Sequence, residues 1–240
     1  MKKTLSLITA IVMIVSLVAS FGAVNASAAT NTVSLYSAYM TYSSHGGNGL
    51  AVYVKTTGNA SDEAVSIHYR SMGEWNDVDA EYFTTLDDGS KIWKANFGGF
   101  TLKYAIKYVA NGVEYWDNNN GNDYSTTDVL GDAPIAVNTC YCYYTSRYGD
   151  STVGVTLKNF AYNKNVVVRY TTNNWASYTD VPMAYNSANN DGTENWTASF
   201  RTETTYVNAF EYCVYYQVNG QTYWANNFGE NYNATYYVYR

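Results

Sequence analysis

Past residue 30 the chain is written in short runs whose apolar residues recur at every second position. In "WTASF" (Trp196 to Phe200) Trp, Ala and Phe fall on one side and Thr and Ser on the other, and "VVVRY" and "YYQVNGQTYW" are further runs of this kind. A period of two is that of a β-strand, and turn signals separate the runs at roughly ten-residue spacing, the pattern of an antiparallel sandwich. The "NG" at Asn111-Gly112 and at Asn219-Gly220 lies between aromatic-rich runs and predicts tight hairpins, because both central residues of a type I′ turn need positive φ. The "DG" at Asp88-Gly89 and at Asp191-Gly192 predicts a second hairpin in the same way. No helix is expected after the N-terminal segment.

The pattern is written twice. "VSIHYRSMGEW" (Val65 to Trp75) answers to "VVVRYTTNNW" (Val166 to Trp175), and "DDGSKIWKANF" (Asp87 to Phe97) to "NDGTENWTASF" (Asn190 to Phe200). "IKYVANGVEYWDNNNGNDY" (Ile106 to Tyr124) answers to "VYYQVNGQTYWANNFGENY" (Val214 to Tyr232), and the order is kept. Two copies of one all-β module are therefore expected, 31–125 and 138–240, with a linker at 126–137 inside "STTDVLGDAPIAVN". Each copy has the ordinary domain size of about 100 residues.

The first stretch, "MKKTLSLITAIVMIVSLVASFGAVNASAAT", is different: a basic start, an apolar run and a small-residue Ala26-Ser27-Ala28 end. It reads as a signal peptide over 1–29, cleaved near Ala28, which makes the product secreted or surface-associated with no membrane role after cleavage. The alternative is a retained anchor, since Leu5 to Val24 is long enough to span a bilayer.

Composition narrows the partner. The 240 residues include 27 Tyr and 6 Trp but only 2 Pro, and 14% are charged, which suits a secreted β protein. A net charge of -6 excludes a nucleic-acid face. A metal site and a cofactor are not expected, because His45 and His68 are the only imidazoles and neither lies near a Cys in sequence. Cys140 and Cys142 sit on one side of a predicted strand, where pairing with each other would be strained; Cys213 could bridge to one of them, or all three could be small buried residues.

Candidate chemistry divides unevenly. A glycosidase needs two carboxyl groups across a cleft, and Asp77, Asp79 and Glu81 alternate along one strand or loop while Asp180 stands alone, which is the pattern of a solvated face. There is no Gly-x-Ser-x-Gly setting and no Gly-rich phosphate loop. The aromatics carry the positive signal, because a flat indole can stack on the C–H face of a sugar ring while Asn and Asp hydrogen-bond its hydroxyls. Trp93 and Trp196 lie within alternating strands and are expected in the core. Trp75 and Trp175 follow polar turns, and Trp116 and Trp224 precede Asn-rich loops, so these four are candidate platforms.

The segment "KNFAYNKNVVVRYTTNNW" followed by "YQVNGQTYWANNFGENY" resembles carbohydrate-binding module family 21, the starch- and glycogen-binding domains, over nearly all of the second copy and over the first from Val65 onward. The resemblance implies immunoglobulin-like β-sandwiches that bind α-glucan without catalysis. It implies one sugar site from Trp175, Trp224, Asn226 and Asn231 in the second copy and from Trp75, Trp116, Asn118 and Asp123 in the first. A third aromatic of that site falls at Cys213 and Ala105, and Tyr212 and Tyr104 are expected on the opposite sheet face. A second family site leans on Tyr162, for which the first copy has no aromatic. Ala225 stands where Asp117 stands in the first copy. The leading expectation is a secreted tandem α-glucan binder acting alone or beside a secreted amylase; the alternatives are a small β-jelly-roll glycoside hydrolase and a carbohydrate-binding surface or adhesin component.

Overall fold

A computed structural model describes residues 30–42, 48–98, 103–145, 148–202 and 208–235. The segment 1–29, read above as a signal peptide, lies outside the described residues. The first half comprises β1 (Thr32–Tyr42), β2 (Asn48–Thr57), β3 (Glu63–Ser71), β4 (Glu74–Thr85), β5 (Lys91–Gly98), β6 (Lys103–Ala110), β7 (Val113–Asp117) and β8 (Tyr124–Ser125). The second comprises β9 (Ile135–Thr145), β10 (Tyr148–Lys158), β11 (Lys164–Thr171), β12 (Thr179–Pro182), β13 (Ala184–Ala188), β14 (Thr193–Thr202), β15 (Asn208–Val218), β16 (Gln221–Ala225) and β17 (Tyr232–Thr235).

All of these pairings are antiparallel. In the first half one path runs β1-β2-β5-β4-β3-β6-β7, with β8 on β6; in the second, β13-β14-β10-β9 and β12-β11-β15-β16 are separate sheets, with β17 on β15. The difference has a local cause. One end of β4 pairs with β3 and the other with β5, so the strand passes from one layer to the other. In the second half that strand is divided into β12 and β13 at Pro182, which has no N–H to give to a ladder.

Each half has its own core. Val65, Ile67, Ile106 and Tyr108 meet Leu50, Val52 and Val54 in the first, and Val166, Val168, Val214 and Tyr216 meet Val153, Val155 and Leu157 in the second. Full burial of such a side chain stabilises by about 1.5–3 kcal/mol. The ladder registers Val52↔Ala95 with Tyr82↔Trp93, and Val153↔Ala198 with Tyr185↔Trp196, place Lys91 and Glu194 at equivalent positions, as Val65 and Val166 do for Glu63 and Lys164. Glu63 pairs with Lys91, and Lys164 with Glu194, so the two halves hold one ion pair with its charges exchanged.

Turn chemistry follows the expectation in part. At both NG hairpins the two residues take positive φ: 51° and 77° at Asn111-Gly112, 50° and 75° at Asn219-Gly220. The DG turns are wider. Only Gly89 and Gly192 take positive φ, the loops close through Leu86 N–H to Ser90 O and Asn189 N–H to Thr193 O, both 2.8 Å, and Asp88 and Asp191 accept the N–H of Ser90 and Thr193 at 2.9 Å.

Trp93 and Trp196 correct the core expectation. Each is half-buried at the rim of its core, with exposed Tyr82 or Tyr185 edge-on at 6.0 Å. The cysteines are free: Cys142 faces the core, Cys213 opposes Arg169 on the outer face of β15, and this difference of face precludes a bridge between them. The stretch read as a linker, 126–137, is shorter than expected, because β9 begins at Ile135. It is also fastened to β1: Ala38 N–H donates to Val129 O at 3.0 Å, and Gly131, Asp132 and Ala133 donate to Tyr36 or Leu35 carbonyls at 2.9–3.1 Å. β2 is buried on both faces, Ala51 at 0% and Tyr53 at 2% exposed, because the second half packs against it.

Candidate functional site

Strand register decides which of the predicted residues share a face. On β6, buried Tyr104, Ile106 and Tyr108 alternate with Lys103, Ala105 and Lys107 on the outer side. Lys107 opposes Trp116 on β7, Ala105 opposes His68 on β3, and His68 opposes Asp77 on β4. Trp75 opposes Arg70, the next outward residue of β3. The two indoles therefore stand on one sheet face in the rows to either side of the His68 row, Trp75 42% and Trp116 47% exposed. His68 joins them: its ring lies 4.5 Å from Trp75 at 2° and edge-on to Trp116 at 5.9 Å, and its Nδ1 is 2.7 Å from Asp77. The Lys107 ammonium lies 5.5 Å over Trp116 and pairs with Glu114, whose carboxyl this hydrogen bond holds below the usual carboxylate range.

The second half repeats the face with different residues. Tyr215 opposes Trp224, Cys213 opposes Arg169, and Arg169 opposes Asp180. Arg169 donates to both Asp180 oxygens, at 2.7 and 2.8 Å, and its guanidinium lies 3.9 Å from the Tyr178 ring, 5.4 Å from Tyr215 and 6.0 Å from Trp224. A planar cation suits both uses, a bidentate fork and a face against aromatic rings. Trp224 is 44% exposed and meets Tyr215 at 5.3 Å, so a second ring stands where the first half has Lys107. Trp175 is half-buried, and its indole N–H donates to Glu211 one row further along β15.

Small residues occupy the middle of both faces. Ala105 and Cys213 are 5% and 4% exposed, covered by their neighbours, while Tyr104 and Tyr212 point into the core as expected. Burial pushes the Cys213 thiol up to about 11. The Arg169 hydrogen bonds hold Asp180 below the ordinary carboxylate range, the opposite of the protonated carboxyl that acid-assisted glycoside cleavage needs.

The Asn-rich loops have a backbone reason for their composition. Asn119, Asn120, Gly121 and Asp123 all take positive φ, and so do Asn227, Phe228, Gly229 and Asn231. Asn and Asp tolerate that region better than other side-chain-bearing residues. Asn118 and Asn226 act through their carbonyls, which accept the N–H of Asp123 at 2.9 Å and Asn231 at 2.8 Å and so close each loop. The Asn118 side chain accepts the Gly121 N–H at 3.0 Å; Asn226 makes no such capping bond. The loops follow directly on Trp116 and Trp224, so that Asn118 and Asn226 come two residues after the exposed indoles, and Asp123 and Asn231 close the loops. Tyr162 stands apart from this face, 96% exposed in the turn before β11 and two residues beyond half-exposed Phe160.

Sequence reasoning missed His68, Lys107, Arg169, Tyr178 and Tyr215 on these faces. A signal was present: in the aligned blocks His68 falls on Arg169, and both lie at outward positions of a period-two strand.

Comparison with known proteins gives one family match and several similar chains. Residues 132–235 match the family described as carbohydrate/starch-binding module (family 21). Protein phosphatase 1 regulatory subunit 3C of Bos taurus is 40% identical over 82 residues, covering 32% of this chain and 26% of that protein. Subunit 3B of Homo sapiens is 39% identical over 82 residues, covering 32% and 29%. The matched segment thus spans less than a third of either relative. Among solved structures, the starch-binding domain of Rhizopus oryzae glucoamylase, in complex with β-cyclodextrin and maltoheptaose, is similar at a TM-score of 0.33 and 24% identity, over 43% of this chain and 93% of that one. The carbohydrate-binding module of the muscle glycogen-targeting subunit of protein phosphatase 1 is similar at a TM-score of 0.36 and 20% identity, over 42% and 75%.

Proposed function

We propose that this chain is a secreted, non-catalytic α-glucan binder whose two halves are copies of one module, each offering a Trp-lined face to starch, glycogen or maltooligosaccharides. The observation that carries this is the pair of exposed indoles on one sheet face of the first half, with Trp224 beside Tyr215 in the same register of the second. Sugar rings stack on such faces, while Asn118, Asp123, Asn226 and Asn231 supply hydrogen bonds worth about 0.5–1.5 kcal/mol each. Common strand order in the two halves supports the tandem reading, and the family match of residues 132–235 supports sugar binding by the second half. Two weak faces on one chain raise avidity when both engage. A glucan held this way is a substrate for a neighbouring enzyme, so a secreted amylase is the natural companion.

The test is retention of purified protein on insoluble starch, with cellulose as control. Trp116→Ala with Trp224→Ala removes the most exposed indole of each face and should cost about 2 kcal/mol or more per face, enough to abolish retention while the fold persists. Undiminished retention in the double variant would sink the proposal.

A further inference from the structure

The two Asn-rich loops share a backbone shape but are held in it differently. In the first half the supports are internal. Asp117 accepts the Asn119 N–H at 3.3 Å, the Tyr124 hydroxyl at 2.7 Å and the Leu35 N–H at 2.9 Å, and Asn118 caps the Gly121 N–H at 3.0 Å. In the second half these supports are missing: Ala225 stands in place of Asp117, and Asn226 makes no side-chain cap.

The second loop also carries a cost the first avoids. Phe228, at φ 56°, occupies the place of Asn120, at φ 55°. A bulky residue in the left-handed region is unfavourable unless its surroundings hold it there. They do so from the other half of the chain. The Phe228 ring packs at 5.0 Å on Tyr53, 5.4 Å on Phe83 and 5.5 Å on Tyr36, all on the outer face of the first half, and the Tyr53 hydroxyl donates to Asn227 Oδ1 at 2.7 Å.

We infer that the first half is a positioning partner for the second half's sugar face, with Phe228 as the residue through which it acts. Docking of Phe228 on Tyr36, Tyr53 and Phe83 replaces the missing internal supports and fixes the loop that carries Asn226 and Asn231 beside Trp224. The Asn226 side chain, released from capping, is left to a ligand. Sugar binding at Trp224 thus depends on residues of the first half that touch no sugar. This rests on the glucan reading above.

The test uses the full chain with Trp75→Ala and Trp116→Ala, so that the second face alone reports, titrated calorimetrically with maltoheptaose. Phe228→Asn, which fits the left-handed backbone as Asn120 does, should lower affinity about two- to tenfold, the range for re-ordering one loop on binding. Phe83→Ala, made entirely within the first half, should do the same, and the two together should be no worse than either alone. Phe228→Tyr, which keeps a ring, should restore affinity. Unchanged affinity in both Phe228→Asn and Phe83→Ala overturns the inference while leaving the glucan reading intact; no binding by the parent overturns both. Should Phe228→Asn fail to fold, judged by circular dichroism, Phe83→Ala decides alone.

Discussion

Lys164 donates to Glu194 at 2.7 Å with the two side chains only 2% and 12% exposed, and the equivalent positions in the first half hold Glu63 and Lys91. The site requires one charge of each sign and accepts either order. The neighbouring ring adapts: the Tyr108 hydroxyl donates to Glu63, whereas that of Tyr216, facing a lysine, turns to the Lys158 carbonyl at 3.0 Å.

Reversing one member should therefore be costly and reversing both should not. Lys164→Glu sets two carboxylates together out of water and is expected to lose about 3–5 kcal/mol. Lys164→Glu with Glu194→Lys should recover all but about 1–2 kcal/mol, the remainder reflecting the indole N–H that Trp196 now gives to Glu194. Urea unfolding of the three proteins checks this; a double variant as weak as the single would refute it.

Gly131 lies where the chain leaves the first half, and a Cβ there would sit 1.9 Å from the Leu35 carbonyl oxygen. The obstacle is backbone, so it cannot swing aside. Gly131→Ala should cost about 2–3 kcal/mol and loosen the bonds from 131–133 to β1, seen as faster amide exchange at those residues.

Asp117 serves three donors at once. Asp117→Ala strands them and should destabilise the first half by about 2–3 kcal/mol, with weaker starch retention when Trp224→Ala is also present. A melting curve identical to that of the parent would contradict the role given to Asp117.

Arg169 and Asp180 give a pH signature. Hydrogen bonds from Arg169 depress the Asp180 pKa in the folded state, so this carboxylate adds stability above its unfolded value of about 3.9 and loses it as pH falls through the depressed value. Arg169→Gln should narrow the gap in urea midpoint between pH 7 and about pH 2.5. The change should stay under about 1 kcal/mol, because the pair is exposed. An unaltered gap would show that the pair contributes nothing across that range.

Legibility in the sequence followed the range of the cause. Alternation in "WTASF" and positive φ at "NG" are local, and the structure has strands and tight hairpins in those places. The Asn-rich loops were legible as unusual but were credited to sugar contacts alone, whereas much of their composition answers to left-handed backbone at Asn119, Asn120 and Asn227. His68 was weighed only as a metal ligand and Arg169 not at all, because a lone basic residue on a strand shows nothing of the rings that the sheet brings beside it. Docking of Phe228 left a readable trace in "LAVYV" (Leu50 to Val54), which has no polar alternation and so announces a strand covered on both faces. Nothing local says what covers it, since Tyr53 and Asn227 are 174 positions apart.

The fastening of 126–134 to β1 has a mechanical consequence. A load applied to one half reaches the other through backbone hydrogen bonds at Tyr36 and Ala38 and through the ring of Phe228, rather than through a slack tether. Force on such a chain is shared in parallel by short, stiff connections, so a pull on one half is felt by the other without slack.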